Sequence, residues 1–249
     1  MLEMGQRVDS HLTLSQPPPD QPPPSQPSAQ AIDSRVKAKR IWWLGGLSFA
    51  FCLIVFGLPL AHRSLSHPDR TRAFHNIREV GFLLLQFDRK YRRYPDARTI
   101  AAVQAETKTT LSLGSSSPNQ LFRQLLASCP SIDERPFWVR TSISPKGTDN
   151  VFTSDATALA PGECGFAYVA GLNSSVDPET PVLLTPLIPG THEFDPKPFG
   201  GKAVILYNDN IPRSHTIDKH GHVIINGKDI FDPKQPFWYG KAPDIKWPE

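Results

Sequence analysis

An uninterrupted apolar stretch at residues 41–61 constrains this chain more than any other feature. It reads IWWLGGLSFAFCLIVFGLPLA and contains no charged residue. At about 1.5 Å of rise per residue, a helix of this length crosses a hydrocarbon core of roughly 30 Å. We therefore predict a single transmembrane helix over residues 41–61, with a tail before it and one folded domain, residues 62–249, after it.

The residues on either side of this stretch predict its orientation in the membrane and whether it is cleaved. Basic residues are concentrated directly before it, at Arg35, Lys37, Lys39 and Arg40. Because cytoplasmic flanks are enriched in Lys and Arg, the N-terminus is predicted in the cytoplasm and residues 62–249 on the other side. A cleaved signal peptide is the alternative. Residues 59–61, Pro-Leu-Ala, are a poor cleavage site, which favours an uncleaved signal anchor.

Residues 1–40 are predicted to be a disordered, proline-rich cytoplasmic tail. The segment QPPPDQPPPSQPSAQ has almost no aliphatic residues and favours an extended polyproline conformation. A spacer is the simplest interpretation, and a docking ligand for a proline-binding domain is the alternative.

A long amphipathic helix is predicted between Pro68 and Pro95. It begins near Asp69 or Thr71, and its apolar residues recur at steps of three and four. This stripe must lie on another element, and a sheet is favoured over the membrane surface because residues 94–96 (Tyr-Pro-Asp) are typical of a packed turn. The packing seam is predicted to consist of Ile77, Gly81, Leu84, Leu85 and Tyr91, with Gly81 allowing close approach.

The rest of the domain predicts a short helix and then strands. Ser117 is a candidate N-cap, followed by Pro118 at the first helical position. Short β-rich segments then alternate with Pro, Gly, Asp and Asn, and DKHGH around His220 is typical of a hairpin turn. The predicted strands are residues 137–139, 165–172, 180–188, 202–207 and 223–225. The fold class is therefore α+β: a helix packed on a small antiparallel sheet of about four strands, followed by a proline-rich tail without regular structure.

Two cysteines lie in this domain, Cys129 and Cys164. In an oxidising compartment they are candidates for a disulfide, and two buried free thiols are the alternative. Cys52 lies inside the apolar stretch, where a small apolar filler is the simplest interpretation.

Catalytic patterns are not found in the sequence. GxSxG, CxxC and HExxH do not occur, residues 200–202 (Gly-Gly-Lys) lack the spacing of a phosphate loop, and the single SxxK, Ser34 to Lys37, lies in the tail. The net charge of +3 does not indicate a nucleic-acid partner. We therefore predict a protein that is not an enzyme and does not bind nucleic acid. An enzyme with an unrecognised site, which would need convergent polar groups in a pocket, is the remaining alternative.

Metal ligands are suggested only weakly. Asp218, His220 and His222 alternate and would share one face of a strand, but the lysine and glycine between them favour a solvated turn. A calcium-stabilised loop built from Asp195, Asp209 or Asp218 is the remaining alternative, because oxygen ligands on adjacent loops are common in exported domains. No other cofactor is predicted.

Residues 73–96, AFHNIREVGFLLLQFDRKYRRYPD, resemble the segment N-I-x-x-(I/V)-G-x-x-L-x-x-(F/Y)-x-x-x-Y-x-x-(Y/F)-P of type IV pilins and G-type pseudopilins, with planctomycete and verrucomicrobial relatives. The resemblance extends over about residues 70–249, through CGFAYVAGLNSS, TPVLLTPLIPGT, FDPKPFGGKAVILYNDN and APDIKWPE. It implies a pilin-like fold and a periplasmic domain anchored in the inner membrane. It also implies a structural role in a type II secretion or pilus-like system, with other pseudopilin or secretion-apparatus subunits as partners.

The anchor departs from the pilin pattern. A prepilin has a short basic leader and a glutamate early in the mature helix, whereas residues 41–61 contain no glutamate and follow a long proline-rich segment. An ordinary signal anchor is therefore expected in place of a processed pilin N-terminus. The alternative function is a tethered binding module for envelope polysaccharide or peptide, presenting Phe237, Trp238, Tyr239 and Trp247. Exposed aromatics would favour that module, and buried ones a scaffold.

Overall fold

The structure is a computed structural model that describes residues 68–129 and 131–249. The predicted tail at residues 1–40 and the predicted transmembrane helix at residues 41–61 lie outside the described residues. Within the described part, none of the helices has the length and apolar character needed to cross a membrane. Helices and an antiparallel sheet are both present, which confirms the α+β class.

Helix α1, Pro68–Tyr91, is the longest element of the described chain. Proline at its first position loses no helical hydrogen bond, and Arg92 ends it in the left-handed conformation with φ of 59°. Its buried side consists of Ala73, Ile77, Val80, Gly81, Leu84, Phe87 and Asp88. Leu85 and Tyr91 are half-buried beside this stripe. Of the five residues of the predicted packing seam, Ile77, Gly81 and Leu84 are therefore buried against the core, whereas Leu85 and Tyr91 lie at its edge.

Gly81 lies where α1 meets the sheet most closely. A Cβ atom at this position would lie 2.0 Å from Asn210 Oδ1 and 2.7 Å from Leu206 Cδ2, well inside normal contact distance. A residue without a side chain is therefore what lets the helix backbone approach this closely.

The turn after α1 is fixed by buried hydrogen bonds. Tyr94 is buried, its N–H donates to Leu172 O at 3.1 Å, and its hydroxyl donates to Asn208 Oδ1 at 2.9 Å. Helix α2, Ile100–Thr107, follows this turn. Helix α3, Pro118–Ser128, begins as predicted, because the Ser117 side chain accepts a hydrogen bond from Gln120 N.

Seven strands follow: β1 (Ala167–Val169), β2 (Pro181–Thr185), β3 (Lys202–Tyr207), β4 (Pro212–Thr216), β5 (Ile224–Ile225), β6 (Lys228–Asp229) and β7 (Ile245–Lys246). Five of them form an antiparallel sheet in the order β4-β3-β2-β1-β7, and β5 and β6 form a small hairpin. Strands β1 to β4 are therefore neighbours in chain order, a simple meander, with β7 added at the edge.

Both faces of the sheet are covered. Side chains alternate along β3, so that Val204 and Leu206 join the core under the helices while Ala203 and Ile205 join a second core. The second core is closed by the loops and short elements after β2, including Phe194 and Trp238. Burial on both faces explains why β2 and β3 have nearly continuous apolar sequences.

Several sequence-based predictions differ from the structure. Strands β1 and β2 are shorter than the predicted residues 165–172 and 180–188. Residues 137–139 were expected to be a strand, but Arg135–Phe137 form a 3-10 turn because Pro136 disfavours a strand interior. The polar strand β4 was not predicted. The proline-rich C-terminal segment was expected to lack regular structure, yet it contains the 3-10 turn Pro236–Trp238 and strand β7.

Candidate functional site

Three carboxylates meet beside the entrance to strand β1, and we call Glu134, Asp149 and Glu163 the acidic cluster. Each offers an oxygen, and these oxygens all lie within 4.8 Å of one another. Glu134 immediately precedes the 3-10 turn, Asp149 lies in the long loop after it, and Glu163 comes shortly before β1. The cluster therefore joins three segments that are separate in the sequence.

A backbone crossing brings these segments together. Gly165 N donates to Phe137 O at 3.0 Å, and a Cβ atom at Gly165 would lie only 2.7 Å from Val139 O. The chain before β1 thus lies directly against residues 137–139. Because Glu134 and Glu163 stand just before the two crossing points, the crossing places their side chains on the same side of the domain.

Backbone donors hold two of the carboxylates in place. Glu134 Oε1 accepts a hydrogen bond from Leu159 N at 2.6 Å. Glu163 Oε1 accepts from Asp149 N at 3.0 Å, and its Oε2 accepts from Ala160 N at 2.7 Å. Asp149 is exposed, and its Oδ1 accepts from Val151 N. The two glutamates are therefore fixed by the loop backbone, and Asp149 lies on the solvent side.

Glu134 is the unusual member of the acidic cluster. Glu134 is fully buried, with 0% of its surface exposed, and its Oε2 has no hydrogen-bond partner among the described residues. Burial, and then the neighbouring carboxylates Glu163 and Asp149, raise the pKa of Glu134 to about 7. Within residues 68–129 and 131–249, no Lys, Arg or His forms an ion pair with the cluster.

The metal ligands suggested by the sequence are used differently in the structure. Asp218 Oδ1 accepts hydrogen bonds from His220 N at 2.8 Å and His222 N at 2.9 Å, which builds the turn between Ile217 and Val223. In the described chain, the acidic cluster is the group with metal-ligand geometry, and Asp218, His220 and His222 do not form one.

The aspartates suggested as calcium ligands also make local contacts within their own loops. Asp195 Oδ1 accepts from Lys197 N at 2.9 Å, and Asp209 pairs with Arg213. Neither belongs to a group of metal-ligating side chains in the part of the chain that the structure describes.

The cysteines of the domain are free thiols in the structure, so the candidate disulfide is not formed there. Cys164 is fully buried in the core beneath the helices, and burial raises its pKa to about 12. Cys129 is half-buried at the end of α3 and lines an open groove. The two side chains therefore occupy different environments.

The aromatic residues near the C-terminus do not form an exposed platform. Phe237 and Trp238 are buried, and Trp238 Nε1 donates to Ile230 O at 2.7 Å. Trp247 is half-buried and donates to Thr191 O at 3.0 Å. Tyr239 differs from these three residues because it is 70% exposed.

An open groove lies along one side of α1. It has a volume of about 790 Å³ and runs between the helix and residues 131–138. Its lining mixes charged, polar and apolar side chains. They include Arg72, His75, Glu79, Asp133, Arg135 and Trp138.

The sequence did not reveal the acidic cluster. Its members are separated by 15 and 14 residues and belong to the unrelated contexts SIDERPF, GTDNV and GECGF. The one local signal is Glu134 itself, an acidic residue close to a proline and a large apolar residue. Only the backbone crossing brings the three together.

Comparisons were made with known protein families, with curated proteins and with solved structures. None of them found a match. The resemblance of residues 73–96 to pseudopilins is therefore not supported by any detected relative, and what this domain does must be argued from its own geometry.

Proposed function

We propose that this chain is a membrane-anchored, non-enzymatic, pseudopilin-like structural component of a type II secretion or pilus-like system. Residues 41–61 would anchor it in the inner membrane, residues 1–40 would lie in the cytoplasm, and residues 62–249 would lie in the periplasm. The observation that carries the proposal is the placement of α1. In the sequence this helix comes shortly after the apolar stretch, and it packs against strands β3 and β4 of the antiparallel sheet.

The contact between α1 and the sheet supports a pilin-like arrangement. Gly81 brings the helix backbone against Leu206 of β3, and Ile77 and Leu84 are buried on the same side. The four strands β1 to β4 then follow in a meander. A long helix packed on a meander sheet is the arrangement that the pilin resemblance implies for residues 62–249.

The aromatic residues weigh against the alternative binding module. That module needs four aromatic side chains at the surface, where rings can stack on a sugar or a peptide. Of the four, Tyr239 is exposed. Phe237 and Trp238 instead fill the second core, and the Trp247 indole is held by Thr191. Their burial fits a scaffold, in which aromatic side chains stabilise the sheet.

The outer side of α1 offers a surface for assembly. Phe82 is 50% exposed on the side away from the sheet, with the Arg78 guanidinium 5.6 Å from its ring centre. An apolar ring beside a cation on an accessible helix can pack against the helix of a neighbouring subunit. We therefore expect α1 of one copy to contact pilin-like subunits through this side.

Cross-linking in native membranes tests the proposal. Full-length protein is cross-linked, affinity-purified and compared with Phe82→Ala and with the control Ile211→Ala, which removes a similarly exposed side chain (53%) from the β3–β4 turn. Wild type and Ile211→Ala should yield cross-linked oligomers and secretion-apparatus subunits, and Phe82→Ala at least threefold less. Recovery of monomer alone, carrying envelope polysaccharide or peptide, would contradict the proposal and support the binding module.

The predicted topology has its own test. Protease added to intact spheroplasts should digest residues 62–249 and spare the segment before residue 41. The mass of the mature chain should correspond to a start near Met1. Protection of the C-terminal domain in intact spheroplasts would reverse the orientation, and a mature start near Leu47 or Phe51 would indicate a processed pilin.

A further inference from the structure

The acidic cluster is electrostatically incomplete in the protein alone. Carboxylates that are taken out of water need a cation or hydrogen-bond donors to offset the lost hydration. Glu163 has two backbone donors, but Glu134 has a single donor for two oxygens, and its second oxygen is buried without a partner among the described residues. The missing contribution is a positive charge near Glu134 Oε2.

We propose that the acidic cluster is a binding site for one Ca²⁺ ion, with Glu134, Asp149 and Glu163 as its protein ligands. The separation of the ligand oxygens, within 4.8 Å, is the spacing expected when several carboxylates surround one ion. The exposed side chain of Asp149 gives the ion access from solvent, while the buried Glu134 supplies the inner ligand.

The choice of calcium follows from the ligand chemistry. All three ligands are carboxylates, and hard cations prefer oxygen, whereas zinc sites are dominated by histidine and cysteine. Magnesium demands near-ideal octahedral geometry and retains most of its water. Calcium accepts irregular sets of six to eight oxygens, so water molecules can complete a site with three protein ligands on loop segments.

Binding of this ion would fix the longest stretch without a helix or strand in the described chain. Between the 3-10 turn that ends at Phe137 and the start of β1 at Ala167, the chain has no regular element. Glu134 lies just before the 3-10 turn that precedes this region, Asp149 lies in its middle and Glu163 lies near its end. An ion that binds the folded state alone would therefore stabilise the loop and, by mass action, the whole domain.

Calcium titration of the full-length protein tests the proposal. After chelator treatment, the wild type should bind one Ca²⁺ per chain, measured by equilibrium dialysis, and its melting temperature should rise by several degrees at saturating Ca²⁺. Mg²⁺ should bind at least tenfold more weakly. Wild type that binds no stoichiometric Ca²⁺, or binds Mg²⁺ or Zn²⁺ equally well, would overturn the assignment.

Two variants and one control locate the ion. Glu134→Gln keeps the shape of the inner ligand and Asp149→Asn changes an exposed one, and each should weaken Ca²⁺ binding at least tenfold. Glu193→Gln makes the same chemical change at an exposed position outside the cluster and should bind like wild type. Because Asp149 is exposed, its variant is expected to fold. Wild-type affinity in Glu134→Gln and Asp149→Asn would refute the site.

Discussion

Replacing Gly165 with alanine tests the backbone crossing that organises the loop region. The new Cβ would lie 2.5 Å from Val139 Cγ1, 2.7 Å from Val139 O and 2.8 Å from Val139 N. Normal contacts begin at about 3.5 Å, so the overlap is close to 1 Å. Two of the three atoms belong to the backbone of Val139, so rotating a side chain cannot relieve the overlap with them.

The magnitude follows from what must move. Overpacking of this kind costs about 1–3 kcal/mol, and separating the segments also weakens the bond from Gly165 N to Phe137 O, worth about 1 kcal/mol. Alanine regains about 0.4–1 kcal/mol by restricting the unfolded chain. We expect Gly165→Ala to lower the free energy of unfolding by about 2–3 kcal/mol and the melting temperature by about 6–9 °C.

Urea unfolding of the chelator-treated protein, followed by tryptophan fluorescence, measures this difference. The control is Gly147→Ala, because a Cβ atom at Gly147 would have no neighbouring atom within 4 Å and the backbone there is not left-handed. The control should stay within about 0.5 kcal/mol of wild type or be slightly more stable. If Gly165→Ala were as stable as Gly147→Ala, the close crossing would not exist in the protein and the reasoning would be refuted.

Three further predictions concern buried groups. Alkylation at pH 8 should modify Cys129 in the native protein and Cys164 only after unfolding, as peptide mass spectrometry would show; equal labelling of both would contradict the burial of Cys164. Without calcium, the folded state retains the Glu134 proton that the unfolded chain loses above about pH 4.5. The free energy of unfolding should therefore fall by up to about 3 kcal/mol as the pH rises to about 7. A free energy of unfolding that does not change with pH in wild type, or the same fall in Glu134→Gln, would contradict a raised pKa of Glu134. Tyr168→Phe should cost about 1–2 kcal/mol in urea unfolding, because the buried Pro95 O loses its hydrogen bond from Tyr168, and a neutral change would contradict that bond.

Helices α1 and α3 and the central strands were predictable because their signals are local. Helix α3 follows from Ser117 and Pro118, which form a cap and a first turn without help from the rest of the chain. Strand β3 matches its predicted limits, residues 202–207, because an apolar run between glycine and asparagine has few alternatives. Gly81 could be assigned to a close helix–sheet contact because a glycine inside an apolar stripe leaves room for a neighbouring backbone and adds no apolar surface of its own.

The remaining elements depend on partners far away in the chain. Strand β4, Pro212–Thr216, is polar and becomes a strand through its pairing with β3. Strand β7 is two residues long and is defined by its antiparallel pairing with the free edge of β1. The acidic cluster is the extreme case, since its ligands carry no spacing signal and are assembled by one crossing of two loop segments.

That crossing predicts a coupling between stability and calcium binding. Gly165→Ala changes no ligand, but separating its segment from residues 137–139 should move Glu163 away from Glu134 and weaken Ca²⁺ binding at least threefold. Tyr168→Phe removes a hydrogen bond to the turn at Pro95 and should leave the affinity unchanged despite its own loss of stability. Equilibrium dialysis of both variants separates the two effects. If both variants weakened binding equally, affinity would follow global stability, and the crossing would have no particular role in forming the site.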